Sequence, residues 1–236
     1  CVLNDMVKEA GVGLCLHSWG CRAVMDGNRV RGIFLESKEG RQAILGRIII
    51  DATGDGDIFA SAGADFDGTL DPNLRSSKLA LVFRVGNIDY KKFRAFKGKE
   101  TQTTSIYETG SSQESSYAKL MGKLNRLGGF TVTMPTSRDD VVWFNNWIPD
   151  LSCLRVDDLT RMEVETRRKM LLTHRFFKDH VPGFQDSYIL DTASQVGTRG
   201  SRRLIGEHIL TEQEMRAGTV YEDTIALFPP LTANAS

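Results

Sequence analysis

The chain has 236 residues, 41% of them hydrophobic and 25% charged, and its 30 Lys+Arg balance 30 Asp+Glu to a formal net charge of zero. That length is enough to bury the core of one large or two small domains, and the charge balance excludes a nucleic-acid surface built on bulk basicity. No apolar run approaches the roughly 20 residues of a membrane span, since residues 44–50 are interrupted by Gly46 and Arg47.

Residues 4–10 read as the end of a helix that stops at Gly11, followed by a short apolar strand over residues 12–17. This helix-to-strand step is the second half of a βαβ-type unit whose first strand would precede residue 1. Residues 21–25 and 29–36 flank Asp26-Gly27-Asn28, a hairpin signal, and Lys38-Glu39-Gly40 turns the chain into residues 42–45. The three runs predict an antiparallel meander. Residues 47–51, with Ile48, Ile49 and Ile50 in succession, suit a strand buried on both faces of a parallel sheet. It should lie parallel to residues 12–17, with the meander crossing between them. A short helix over residues 58–62, capped by Asp57, closes at Gly63.

Beyond residue 64 the pattern predicts strands over residues 78–85, 130–135 and 141–148, with a polar loop or insertion over residues 96–116. A long helix spans residues 159–179, with Thr160 and Glu163 as its capping box and Pro182-Gly183 as its stop. Met170, Leu171, His174 and Phe177 form its packing stripe, and Trp143, Phe144 and Trp147 read as core. Residues 187–196 and 204–210 read as strands. Thr211 to Glu214 opens a last helix that ends at Gly218.

Cys1, Cys15, Cys21 and Cys153 contain no CxxC pair, so an iron–sulfur or zinc site from this segment is unsupported. They read as thiols compatible with a reducing compartment such as the cytoplasm; the true N-terminus is expected to lie upstream of Cys1, so localisation is not legible. His17, His174, His180 and His208 offer no HExxH spacing, and a Ca²⁺ loop starting at Asp55 would place Phe59 and Phe66 at ligand positions. The most informative segment is residues 48–57, IIIDATGDGD, where a strand delivers small residues that let a ligand approach the backbone. On residue chemistry alone it is either a structural turn or a cofactor contact. Arg199, Arg202 and Arg203 likewise have two readings. They are surface ion pairs, with Glu207 or Asp191 as partners, or a fork that grips an anionic small-molecule substrate.

Residues 5–63, through DMVKEAGVGLCLHS, DGNRVRGI and GRQAILGRIIIDATGDGD, resemble the FAD-dependent oxidoreductase family of the glutathione-reductase-like Rossmann type. DDLTRMEVETRRKM, HVPGF and SQVGTRGSRRLIGEHILTEQEM resemble later segments of a subgroup similar in part to the flavin subunit of heterodisulfide reductase. The resemblance covers most of the chain and is weakest over residues 86–130. It implies an α/β fold: a partial Rossmann-like FAD-binding domain with a three-stranded meander (residues 1–63), and a partial mixed α+β substrate or cap domain (residues 64–236).

It further implies FAD as cofactor, with Ala52, Thr53 and Gly54 beside its adenosine and diphosphate portion, Gly20 and Cys21 beside the adenine, and Asp55 shaping the turn. Arg199 and Arg202 would hold the substrate; Gly200 stands where the family commonly has an acidic residue. The fingerprint GxGxxG is not met, because its last glycine would fall on Leu16 or Phe59. The chain is therefore expected to be a fragment without the diphosphate loop, its reaction a flavin-mediated hydride or electron-pair transfer. The alternatives are a non-enzymatic α+β module, or a structural subunit whose flavin site another chain completes.

Overall fold

The computed structural model describes residues 2–68, 79–98, 116–129, 131–148, 151–198 and 201–227. The chain divides into two units, one of Cys1–Thr69 with Arg202–Ile205, the other of Leu70–Ser201 with Gly206–Ser236.

In the first unit, helix α1 (Val2–Glu9) has Asp5 in its first turn and Lys8 in its last, each complementing the helix dipole. It stops where Gly11 takes φ 66. The meander follows as β1 (Trp19–Asp26), β2 (Arg29–Ser37) and β3 (Gly40–Leu45), antiparallel in the order β1-β2-β3. Asp26 pairs with Arg29 across a two-residue loop, with Gly27 at φ 57. The approach of β2 to β3 requires Gly32, since a Cβ there would sit 2.2 Å from the Ile44 carbonyl oxygen. Helix α2 (Asp57–Ser61) packs on β1, where Ser61 Oγ accepts the Ala23 N–H at 2.8 Å. Ala23, Leu35 and Ile58 are its buried apolar centre. A short antiparallel pair, β4 (Phe66–Asp67) with β9 (Arg203–Leu204), completes the unit.

Two expected strands do not form. Residues 12–17 and 47–51 run without ladder partners, and every ladder among the described residues is antiparallel. A strand of the parallel type needs a neighbour on each side to satisfy its backbone groups. Lacking these, Ile48 and Ile50 stand 83% and 84% exposed. Asp57 is the first residue of α2 and not its cap, a position taken by Gly56 at φ 69.

The second unit is a four-stranded antiparallel sheet in the order β6-β7-β5-β8, from β5 (Leu79–Gly86), β6 (Val132–Pro135), β7 (Val141–Ile148) and β8 (Tyr188–Thr192). Helices α3 (Tyr90–Lys97), α4 (Ser116–Arg126) and α5 (Val156–His180) accompany it. Alternation along the strands puts Leu81, Phe83 and Val85 on one face with Val142 and Phe144, all fully buried in one cluster with Met162, Phe177 and Phe184. Phe144 meets Phe177 edge-on at 4.8 Å between ring centroids. Of the expected helical stripe, Met170 and Phe177 are buried and Leu171 is exposed.

Helix α5 starts three residues earlier than its sequence signal. Thr160 lies inside it and donates back to the Val156 carbonyl, while Asp157 and Asp158 supply the acidic first turn. The strands expected over residues 187–196 and 204–210 shrink to β8 and to the two-residue β9, because only those stretches find ladder partners. Helix α6 (Glu212–Ala217) forms with the expected Thr211–Glu214 capping box and ends at Gly218, φ 64. Helices α3 and α4 were not legible in the sequence, and most of the polar stretch at residues 96–116 lies outside the described residues.

Candidate functional site

The turn after residue 50 is organised by one carboxylate. Asp51 Oδ1 accepts the Thr53 N–H at 3.0 Å and the Thr53 hydroxyl at 2.7 Å. Its Oδ2 accepts the Ile58 and Phe59 N–H groups at 3.1 and 3.0 Å. The Asp57 N–H donates to Thr53 Oγ1 at 3.0 Å, so Asp51 and Thr53 together satisfy three donors at the start of α2. Burial pushes the Asp51 carboxyl up, but the hydrogen bonds from Phe59, Thr53 and Ile58 outweigh it and hold the group below the ordinary aspartate value. Gly54 at φ 87 and Gly56 at φ 69 take up the backbone conformations that a side chain resists. A Cβ on Gly56 would also lie 2.1 Å from the Phe59 ring.

Beside this turn is a cleft of about 400 Å³. Gly20 from β1, Ile33 from β2 and Ile44 from β3 form one side, and Ile48, Ala52, Thr53 and Ile58 line the rest. Its walls are apolar, with small residues at Gly20, Gly46 and Ala52, and the volume falls in the range of small-molecule sites. Three of the residues expected at a cofactor therefore meet in one place: Gly20, Ala52 and Thr53. Gly54 and Asp55 belong to the adjoining turn. Cys21 is turned to the sheet, its thiol donating to the Phe34 carbonyl at 3.3 Å.

Of the two arginines expected at a substrate, Arg199 lies outside the described residues. Arg202 is placed in the first unit, where its Nη1 donates to the Asp55 carbonyl and to Asp57 Oδ1, both at 2.8 Å. Arg203 pairs with Asp67 at 2.6 Å. These are ion pairs, but not with the partners anticipated, since Asp191 belongs to Arg84. Asp51 is the residue that sequence reasoning missed. Its signal was present as an Asp two positions before a Thr at the end of the apolar run 48–50, the pattern of a side chain that bonds the backbone two residues on.

The sequence profile described as "FAD dependent oxidoreductase" matches residues 1–229. The chain belongs to that family. No curated protein matches the sequence. Among solved structures, the chain is similar to a triple mutant of the flavin-dependent brominase Bmp2, with 15% identity over 85% of this chain and 47% of the other at a TM-score of 0.41. It is similar also to the myxobacterial chondrochloren halogenase CndH, a variant of the FAD-dependent halogenases, with 13% identity over 85% of this chain and 40% of the other at a TM-score of 0.44. The chain thus spans less than half the length of either.

Membership of this family makes FAD the cofactor. In the cleft, Gly20, Gly46 and Ala52 leave the backbone open to close approach, and Ile33, Ile44, Ile48 and Ile58 make the lining apolar. The diphosphate has no comparable cradle in this turn. The N–H groups of Asp57, Ile58 and Phe59 are already taken by Thr53 and Asp51, and Asp51, Asp55 and Asp57 crowd the same stretch with carboxylates. Among the described residues no group of three His, Cys, Asp or Glu is placed to hold a metal, and no helix is long and apolar enough to cross a membrane.

Proposed function

We propose that the first unit supplies the adenosine-side wall of the FAD site of an oxidoreductase. In the whole protein, bound FAD would supply hydride or electron-pair transfer to or from a small substrate. The observation that carries this reading is the cleft shared by Gly20, Ala52 and Thr53. In it, Gly20 and Ala52 leave room for the adenine, the isoleucines of the meander exclude water from its faces, and Asp51 keeps Thr53 and the following glycines in position. The substrate is proposed to be small and anionic, gripped by Arg199, whose planar fork matches a carboxylate or phosphate.

The test compares FAD with FMN, which carries the same ring but lacks the adenosine half. Titrated into this chain, FAD should bind with a Kd of roughly micromolar or weaker, about −8 kcal/mol at best, and FMN should not bind. AMP should displace the FAD. Equal binding of FAD and FMN would remove the adenosine-side assignment, and nanomolar FAD binding would mean that the diphosphate is held here after all. Absence of flavin from the full-length protein would favour the non-enzymatic module.

A further inference from the structure

The Ala-Thr-Gly turn is held twice, and only one of the two holds is local. Asp51 and Thr53 brace it from within. The second hold arrives from 145 residues downstream, through Arg202. The strand that follows it, β9, is short but paired along its length. Phe66 pairs with Leu204, Asp67 pairs with Arg203 and the Ile205 N–H donates to the Asp65 carbonyl at 3.0 Å. Arg202 enters the turn from the start of this strand. One nitrogen bridges a backbone carbonyl and a carboxylate, and the guanidinium lies 5.6 Å from the centre of the Phe66 ring. Its side chain is 19% exposed, against 53% for neighbouring Arg203, whose ion pair with Asp67 is a surface one.

From this we infer that Arg202 is a positioning residue for the cofactor turn, fixing the Asp55 carbonyl and the Asp57 carboxylate so that Gly54 and Ala52 keep the conformation the cleft requires. Three features support a positioning role over mere surface pairing. The carbonyl it binds lies between the two positive-φ glycines, Gly54 and Gly56, where backbone freedom is greatest and a fixed partner restricts most. The carboxylate it binds is on the first residue of α2, the helix that Asp51 and Thr53 also cap. The ring beneath it, Phe66, is on the strand paired with β9, so the guanidinium is set from two sides. One cation also offsets part of the negative charge of Asp51, Asp55 and Asp57, which would otherwise oppose an anionic ligand beside the turn. The inference rests on the flavin reading of the cleft.

The test uses Arg202→Met, Arg202→Lys and Asp57→Asn in the full 236-residue chain, with FAD and AMP as probes. For each variant, FAD affinity and hydrogen exchange of the backbone amides over residues 54–60 are measured. Arg202→Met should speed exchange there by about tenfold or more and weaken both FAD and AMP about tenfold, with exchange of the β5–β7 amides unchanged. Arg202→Lys should recover part of both effects, since an ammonium can still serve one acceptor. Asp57→Asn, the milder change, should give an intermediate loss if Arg202→Met does not fold. Unchanged affinity in Arg202→Met and Asp57→Asn overturns the inference, whether or not exchange quickens. A wild-type chain that binds neither FAD nor AMP would instead sink the flavin reading, which is the separate result.

Discussion

Replacing Asp51 with Asn tests whether one carboxylate organises the turn after residue 50. The side chain accepts four hydrogen bonds, two from Thr53 and one each from the Ile58 and Phe59 amides. Asparagine keeps the shape but offers a single acceptor oxygen, so at least one pair of these bonds is lost along with the charge. Loss of a helix cap costs about 0.5–2 kcal/mol, and because this group is only partly shielded from solvent a figure near ~1 kcal/mol is the sensible one. In a unit of this size that corresponds to a melting shift of roughly 4–8 °C.

The pH dependence gives a second handle on Asp51. Its folded pKa is depressed, so its contribution is present above the unfolded value of about 3.9 and is lost as pH falls from there through the folded pKa. Wild type and Asp51→Asn should therefore differ at pH 7 and converge well below pH 4. Calorimetry at both pH values, with exchange of the Ile58 and Phe59 amides as the local probe, reads this directly. Equal melting and equal exchange at pH 7, or a gap that persists undiminished at the lowest pH, would refute the reasoning.

Three further outcomes are expected. Asn146 is 1% exposed, and among the described residues neither carboxamide atom has a hydrogen-bond partner, so Asn146→Leu should raise stability in urea by about 1–3 kcal/mol; a loss would mean the carboxamide is satisfied through water. Burial, reinforced by Lys178, lowers the His174 pKa. Because the Ser187 hydroxyl donates to the Phe184 carbonyl, His174 donates to Ser187 from Nε2. Stability from neutral His174 is held above about pH 6.5 and declines as pH falls toward the folded pKa. His174→Gln should flatten that decline, and an NMR titration midpoint at or above 6.5 would contradict the assignment. On the proposed substrate role, Arg199→Met in the whole protein should lower kcat/KM by about 10- to 100-fold, from loss of a charge-assisted bond worth ~1.5–3 kcal/mol, with the flavin spectrum unchanged; full activity in steady-state kinetics would overturn that proposed role.

Local patterns in the sequence determined the elements whose partners lie next to them in the chain. The meander is legible because Asp26-Gly27-Asn28 and the Gly40 turn join neighbouring strands, and α6 because its capping box and Gly218 are all within eight residues. The block order likewise made the family legible, and with it FAD. Tertiary structure decided whatever depends on a distant partner. Residues 12–17 and 47–51 have the apolar character of strands, but a strand exists only where a neighbour completes its hydrogen bonds, and among the described residues none does. Asp51 became the organiser of the turn because the chain folds Ile58 and Phe59 back onto it. The roles of Arg202 and Arg203 separate for the same reason. Adjacent in sequence, they differ because β9 returns to pair with β4, which sends Arg202 into the turn and leaves Arg203 on the surface beside Asp67.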